Sequence, residues 1–203
     1  SNAPESSDTD FTWETFQAGV NKDLSDVLGN FVSRVTKFCM AKFGCNVPSG
    51  TPYSEPEDAL IKLLDNKLSL YSDHMKSIEI RKAAAELRSI WSVGNEYLQL
   101  AAPWAQFKEN PERAACIIRF SFNLIALYSN ISRPFIPETA SKIDNALKLN
   151  DNIFWPASLD QYLKSIKKDH IFEVPENLFE KLSDEKMLEL KTKFSGEATP
   201  VAL

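Results

Sequence analysis

Two planar polar side chains stand one helical turn apart in Gly29-Asn30-Phe31-Val32-Ser33-Arg34. A third planar group, the indole of Trp104, follows a proline at the end of Gly94-Asn95-Glu96-Tyr97-Leu98-Gln99-Leu100-Ala101-Ala102-Pro103-Trp104. Asparagine offers a donor and an acceptor in one plane, and arginine offers a fixed fork of donors. Four residues apart on one helix face, the two together match the hydrogen-bonding edges of nucleotide bases. A tryptophan placed where a helix stops is a flat platform on which an unstacked base can lie. On residue types alone, plainer readings stand beside these: a solvated polar face for Asn30 and Arg34, and core packing beneath the turn for Trp104.

Other chemistries find less support. Six glycines are present and no two form a G-x-G, so a glycine-rich phosphate loop is excluded. Cys39, Cys45 and Cys116, with only His74 and His170, lack zinc-ligand spacing, so no metal site is expected, and three cysteines suit reduced thiols in the cytoplasm. No Ser or Cys sits in a strained glycine-rich turn and the histidines have no evident partner, so no catalytic residue is expected. The net charge of −5 argues against a strongly basic nucleic-acid binder. Residues 20–43 are nevertheless locally basic, with Lys22, Arg34, Lys37 and Lys42 against Asp23 and Asp26. Lys164, Lys167 and Lys168 are candidates for phosphate contact, although a charge run is more often a solvated face.

The elements that must position these residues are helical. Phe16, Val20, Leu24, Val27, Leu28, Phe31, Val35, Phe38 and Cys39 recur at three- and four-residue spacing and predict one long amphipathic helix over Phe11–Phe43, capped by Thr12 and ended by Gly44 and Pro48. Ser54 with Glu57 forms a capping box for a second helix to about Met75. A third runs from about Ser77 to Ala101, where Pro103 ends it. Asn110-Pro111-Glu112 opens a fourth, apolar nearly all round and therefore central. Pro137 starts a fifth through Leu149, and short helices follow at Ser158–Ile166 and Ser183–Phe194. The apolar run Cys116–Ile131 is broken by Arg119 and Asn123 and reads as too short and too polar to span a bilayer, so no membrane partner is expected. The expected fold is all-α, an antiparallel helix bundle of four to five helices with a C-terminal helical appendage.

Four separated stretches carry a family resemblance: Phe11-Thr12-Trp13 through Val20-Asn21-Lys22-Asp23-Leu24, then Leu28 through Arg34, then Gly94 through Trp104, then Ser132-Arg133-Pro134-Phe135-Ile136-Pro137. In order and spacing they resemble the anticodon-binding domain of methionyl-tRNA synthetases. Residues 177–196 are similar to the segment that closes this domain in eukaryotic and archaeal-type members. The resemblance implies that Asn30, Arg34 and Trp104 are the anticodon-reading positions, with the indole stacking on a base of CAU and Asn30 and Arg34 contacting base edges. It implies the anticodon loop of tRNA(Met) as partner, together with the catalytic domain of the same parent chain. It also implies a parent that esterifies methionine to tRNA with ATP and Mg²⁺. The paired-histidine and Lys-Met-Ser-Lys motifs of class I synthetases do not occur in these 203 residues, so the chain itself is expected to bind no cofactor. The expected divisions are 1–10, a tag scar and linker; 11–149, the anticodon-binding bundle; and 150–203, a helical extension and tail. Asn95 and Tyr97 are expected to join the third helix to the first, and Trp13, Trp91 and Trp155 to make core or interdomain contacts. An α-helical protein-interaction module is the alternative function.

Overall fold

A helical rod runs without interruption from Trp13 to Phe43, and its first turn is capped by Thr12, whose side-chain oxygen accepts from the Thr15 amide at 3.1 Å. The computed structural model describes residues 10–149 and 155–194. The rod is α1 (Trp13–Ala18), a π-helical stretch (Gly19–Gly29) and α2 (Asn30–Phe43). After it come α3 (Glu55–Lys76), α4 (Ile80–Ala101), α5 (Pro103–Glu109), α6 (Pro111–Ser132), α7 (Pro137–Ala146), α8 (Leu159–Tyr162) and α9 (Asp184–Lys193). Among the described residues the only extended pairing is an isolated bridge between Asn46 and Ile171.

The single α-helix expected over the rod is thus corrected to three segments. The apolar positions step by four, four, three, one and three residues from Phe16 to Phe31, which both windings satisfy. A partner outside the rod bonds to this stretch: Asn95 of α4 donates to the Val27 carbonyl at 3.1 Å, which also accepts from the Asn30 amide.

Three further bounds differ. Ile78 takes φ 59°, so α4 begins at Ile80 rather than Ser77. Lys148 takes φ 50°, which stops α7 at Ala146 before Leu149. The turn after Ser158 is helical only to Tyr162. Residues 1–9, 150–154 and the tail 195–203 lie outside the described residues.

The α6 helix is the centre of the bundle. By length and composition Pro111–Ser132 is apolar enough to cross a bilayer, which corrects the reading that this run is too short and too polar. Yet 89% of its most apolar stretch is buried, so neighbouring helices already cover it. Its two polar interruptions are anchors. Arg119 donates to the Thr51 carbonyl at 2.8 Å, and Asn123 both donates to the Ile166 carbonyl at 3.1 Å and accepts from the Ile166 amide at 2.8 Å, tying the chain beyond α7 to the core. On α4, Gly94 leaves room for the Tyr128 hydroxyl, which a Cβ would strike, and that hydroxyl donates to the Ile90 carbonyl at 3.2 Å.

The capping box at the start of α3 forms as expected, and its glutamate does more than cap. Glu57 is fully buried and receives the Arg113 fork at 2.7 and 2.8 Å, the Ser54 amide at 3.0 Å and the Tyr97 hydroxyl. Tyr97 therefore joins α4 to α3 and α6, a correction to its expected link with the rod; Asn95 makes that link. Trp91 lies in the core, Trp155 stacks on Tyr71 with ring centres 5.9 Å apart, and Trp13 stacks on Phe194 at 6.4 Å.

Candidate nucleic-acid interface

On α2, the buried residues Phe31, Val32 and Val35 turn one face to the core, which leaves Asn30 and Arg34 on the outer side. On the facing element, Ala102 adopts a left-handed conformation, φ 42° and ψ 62°, and it is this residue that ends α4. Its carbonyl accepts from the amides of Ala105 and Gln106 at 2.9 and 3.0 Å and so opens a new helix, α5, with Pro103 at a first-turn position where no N–H is missed. Pro103 begins a helix rather than merely ending one, and Trp104 sits in the first turn of that helix.

An aromatic cluster fixes α5 against α2. Phe107 meets Phe38 edge-on at 6.1 Å between ring centres and Phe43 at 5.3 Å, while the Lys42 ammonium lies 5.5 Å from the Phe107 ring centre. One turn away, the Arg34 guanidinium carbon lies over the Trp104 ring, 4.6 Å from its centre, within cation–π range. Arg34 Nη2 also donates to Gln99 Oε1 at 3.2 Å. Trp104 keeps 37% of its surface exposed, so it is not a core residue.

Of the three candidate residues, then, Arg34 and Trp104 are in contact. Asn30 stands one turn toward the N-terminus on the same helix face, exposed, outside that contact. Asn30 borders a separate cavity of about 240 Å³, which it shares with Ser25, Asp26, Gly29, Ser33, residues 175–179 and Lys181.

The local charge is positive. The α2 segment carries Arg34, Lys37 and Lys42 and no carboxylate. Of the acids preceding it, Asp23 is met by Arg88 at 3.4 Å and Asp26 by Lys181 at 2.7 Å. The expected phosphate-binding run is less open: Lys164 pairs with Asp160 at 2.6 Å and Lys168 with Asp169 at 3.9 Å. Among the described residues, no group of His, Cys, Asp and Glu side chains gathers to hold a metal ion, and all three cysteines are free.

Sequence reasoning missed Gln99 and the Phe38–Phe43–Phe107 cluster. The available signal was spacing: Phe38 is four residues beyond Arg34, and Phe107 is three beyond Trp104.

Residues 47–199 match the family model of the anticodon binding domain of methionyl tRNA ligase, and residues 1–36 match that of class I (M) tRNA synthetases. Asn30 and Arg34 therefore fall within one matched region and Trp104 within the other. The chain is 54% identical over 196 residues to a methionine–tRNA ligase of Jannaschia sp. (strain CCS1) and 53% over 196 residues to one of Dinoroseobacter shibae. Both alignments cover 97% of this chain and 34% of the relative, so the chain spans about a third of the length of these relatives. Apo methionyl-tRNA synthetase of Mycobacterium tuberculosis has the same fold, with a TM-score of 0.79 over 90% of this chain and 37% of that one at 18% identity. The match across residues 47–199, set beside these relatives, means that the chain belongs to the family of anticodon-binding domains of methionyl-tRNA ligases.

Proposed function

We propose that this chain reads the CAU anticodon of tRNA(Met) through Asn30, Arg34 and Trp104. The observation that carries the reading is the contact between the Arg34 guanidinium and the Trp104 ring on a cationic helix face. The guanidinium covers one face of the indole, so a base stacks on the opposite face or takes the place of Arg34, whose donors then turn to the base edge. Single-stranded loops are recognised by such a combination of aromatic platform and planar polar groups, because their bases can turn outward. Arg34, Lys37 and Lys42 supply attraction for loop phosphates that does not depend on sequence.

The same proposal extends to the longer protein. The region that begins near residue 11 and closes near 149 forms the reading bundle, and 150–203 forms its extension. The catalytic part belongs to the rest of a polypeptide that joins methionine to tRNA in the cytoplasm with ATP and Mg²⁺.

The experiment is titration of labelled stem-loops, one carrying CAU and one an altered anticodon, at two salt concentrations. Tighter binding of CAU is expected at both, with salt weakening the two loops together and leaving their ratio nearly constant. Equal binding of the two loops by folded protein would support the protein-interaction module instead.

A further inference from the structure

The cavity beside Asn30 has two walls. The first is the rod, with Ser25, Gly29, Asn30 and Ser33. The second is irregular chain from Pro175 to Phe179 together with Lys181, which leads into α9.

The second wall is fastened to the rod. Asn21 donates to the Leu182 carbonyl at 2.9 Å and accepts from the Leu182 amide at 2.7 Å, and Gln17 adds a bond to the same carbonyl at 3.0 Å. Lys181 pairs with Asp26 at 2.7 Å. Between the walls, Gly29 lets the Phe179 ring come close, since a Cβ there would stand 3.2 Å from Phe179 Cδ2. The cavity is therefore a gap between two anchored surfaces: Asn30, Ser25, Ser33 and Asn177 give it amide and hydroxyl groups, Asp26 is paired with Lys181, and Glu176 adds an exposed carboxylate at its margin, a group that can accept from a base amino group.

We propose that one nucleobase of the anticodon enters this cavity, its edge read by Asn30, so that Pro175–Lys181 is the second wall of the base-reading site. The inference rests on the anticodon-reading function proposed above. Hydrogen bonds discriminate between bases when a wrong partner leaves buried polar groups unpaired. An asparagine on an open helix face cannot impose that cost, because water replaces a lost bond, whereas a cavity walled on two sides can. The Trp104 platform of α5 faces Arg34, which lies one turn beyond Asn30 on α2, so neighbouring bases of a splayed loop take two different seats: one stacked on the indole, one inserted between the rod and the strap formed by Pro175–Lys181.

The test uses the whole chain and four stem-loops: CAU, and three versions in which one anticodon nucleotide lacks its base. Ser33→Phe fills the cavity from the rod, and Asn177→Ala removes a polar group from the strap. Ser33→Phe should weaken CAU binding about tenfold or more. It should have no further effect on the single abasic loop whose missing base belongs in the cavity, and Asn30→Ala should lose its effect on that same loop. If Ser33→Phe fails to fold by circular dichroism, a double-variant cycle of Asn30→Ala with Asn177→Ala carries the test, and non-additive losses are expected. Undiminished CAU binding by the two cavity variants, with Trp104→Ala and Asn30→Ala both weakened, would overturn the second wall and leave anticodon reading intact. Equal losses on all three abasic loops would overturn it as well. Undiminished binding by all four folded variants would instead remove the anticodon-reading function itself.

Discussion

Phe38 of α2 and Phe107 of α5 meet edge-on with ring centres 6.1 Å apart, and the Arg34–Trp104 contact repeats this pairing one turn earlier on both helices. Four residues separate the pair members on α2 and three on α5, so the two contacts form a ladder with an apolar rung and a functional one. The apolar rung holds the helix distance that the cation and the indole need.

Phe107→Ala should therefore lower affinity for a CAU stem-loop although Phe107 is not a proposed contact. The half-buried ring should cost on the order of 2 kcal/mol in stability, below the ~3–5 of a fully buried phenylalanine. Urea unfolding and loop titration on the same variant check both; full affinity in a destabilised variant would show that α5 keeps its place without the cluster.

Trp104→Ala should weaken CAU stem-loop binding by about 1–3 kcal/mol, the worth of one base stack. The melting temperature should hardly change, because the side chain is partly exposed and its contact with Arg34 is a surface one. A large drop in melting temperature with unchanged affinity would make Trp104 a packing residue.

Replacing the fork tests its geometry apart from its charge. Arg34→Lys retains the cation but loses the planar donors, so discrimination between CAU and altered loops should fall nearly as far as in Arg34→Ala. Gln99→Leu removes the 3.2 Å bond that steadies the guanidinium and should produce a smaller loss in the same direction. Restored selectivity in Arg34→Lys would reduce the role of Arg34 to phosphate attraction.

The buried Glu57 gives a pH dependence with a definite sign. Burial pushes its carboxyl up, but the bonds from Arg113, Tyr97 and Ser54 outweigh this and hold the carboxyl below its ordinary value. A carboxylate with a lowered folded pKa stabilises fully above its unfolded value of about 4.3, and that contribution fades as pH falls through the folded value. Glu57→Gln should cost about 3–5 kcal/mol at neutral pH, since it leaves Arg113 without its counter-charge. The gap from the unchanged protein should narrow below about pH 4. Denaturant unfolding at pH 7, 5 and 3 measures it, and a gap independent of pH would mean that Glu57 acts through packing alone.

Helix starts were legible because caps are local. Thr12, Ser54, Asn110 and Ser183 each announce a helix within four residues of chain, and each helix begins there. The π winding was not legible, because apolar steps of three and four suit both ladders and the Asn95 bond to the Val27 carbonyl comes from 68 residues away. The candidate residues could be picked out by type, and Trp104 could be seen to follow a helix end. Their mutual contact depends on α5, a seven-residue helix whose start lies in the left-handed turn at Ala102, a residue type that seldom signals one. Gln99 and the strap were invisible for a similar reason: a partner 65 residues from Arg34 and a wall about 145 residues beyond Asn30 leave no trace in local spacing.

A turn of π-helix uses more residues than a turn of α-helix for the same rotation, so Gly19–Gly29 sets the angular phase between α1 and α2. Rewinding these same residues as α-helix would swing Asn30 and Arg34 around the rod axis and away from Trp104, with every site residue still present in the chain. A shorter chain wound as plain α-helix would deliver them to the same side. Length variation among homologues is thus compatible with an unchanged reading face inside this stretch, where the winding can absorb it, and incompatible with one between Asn30 and Phe38, where each added residue would put the two rungs out of step.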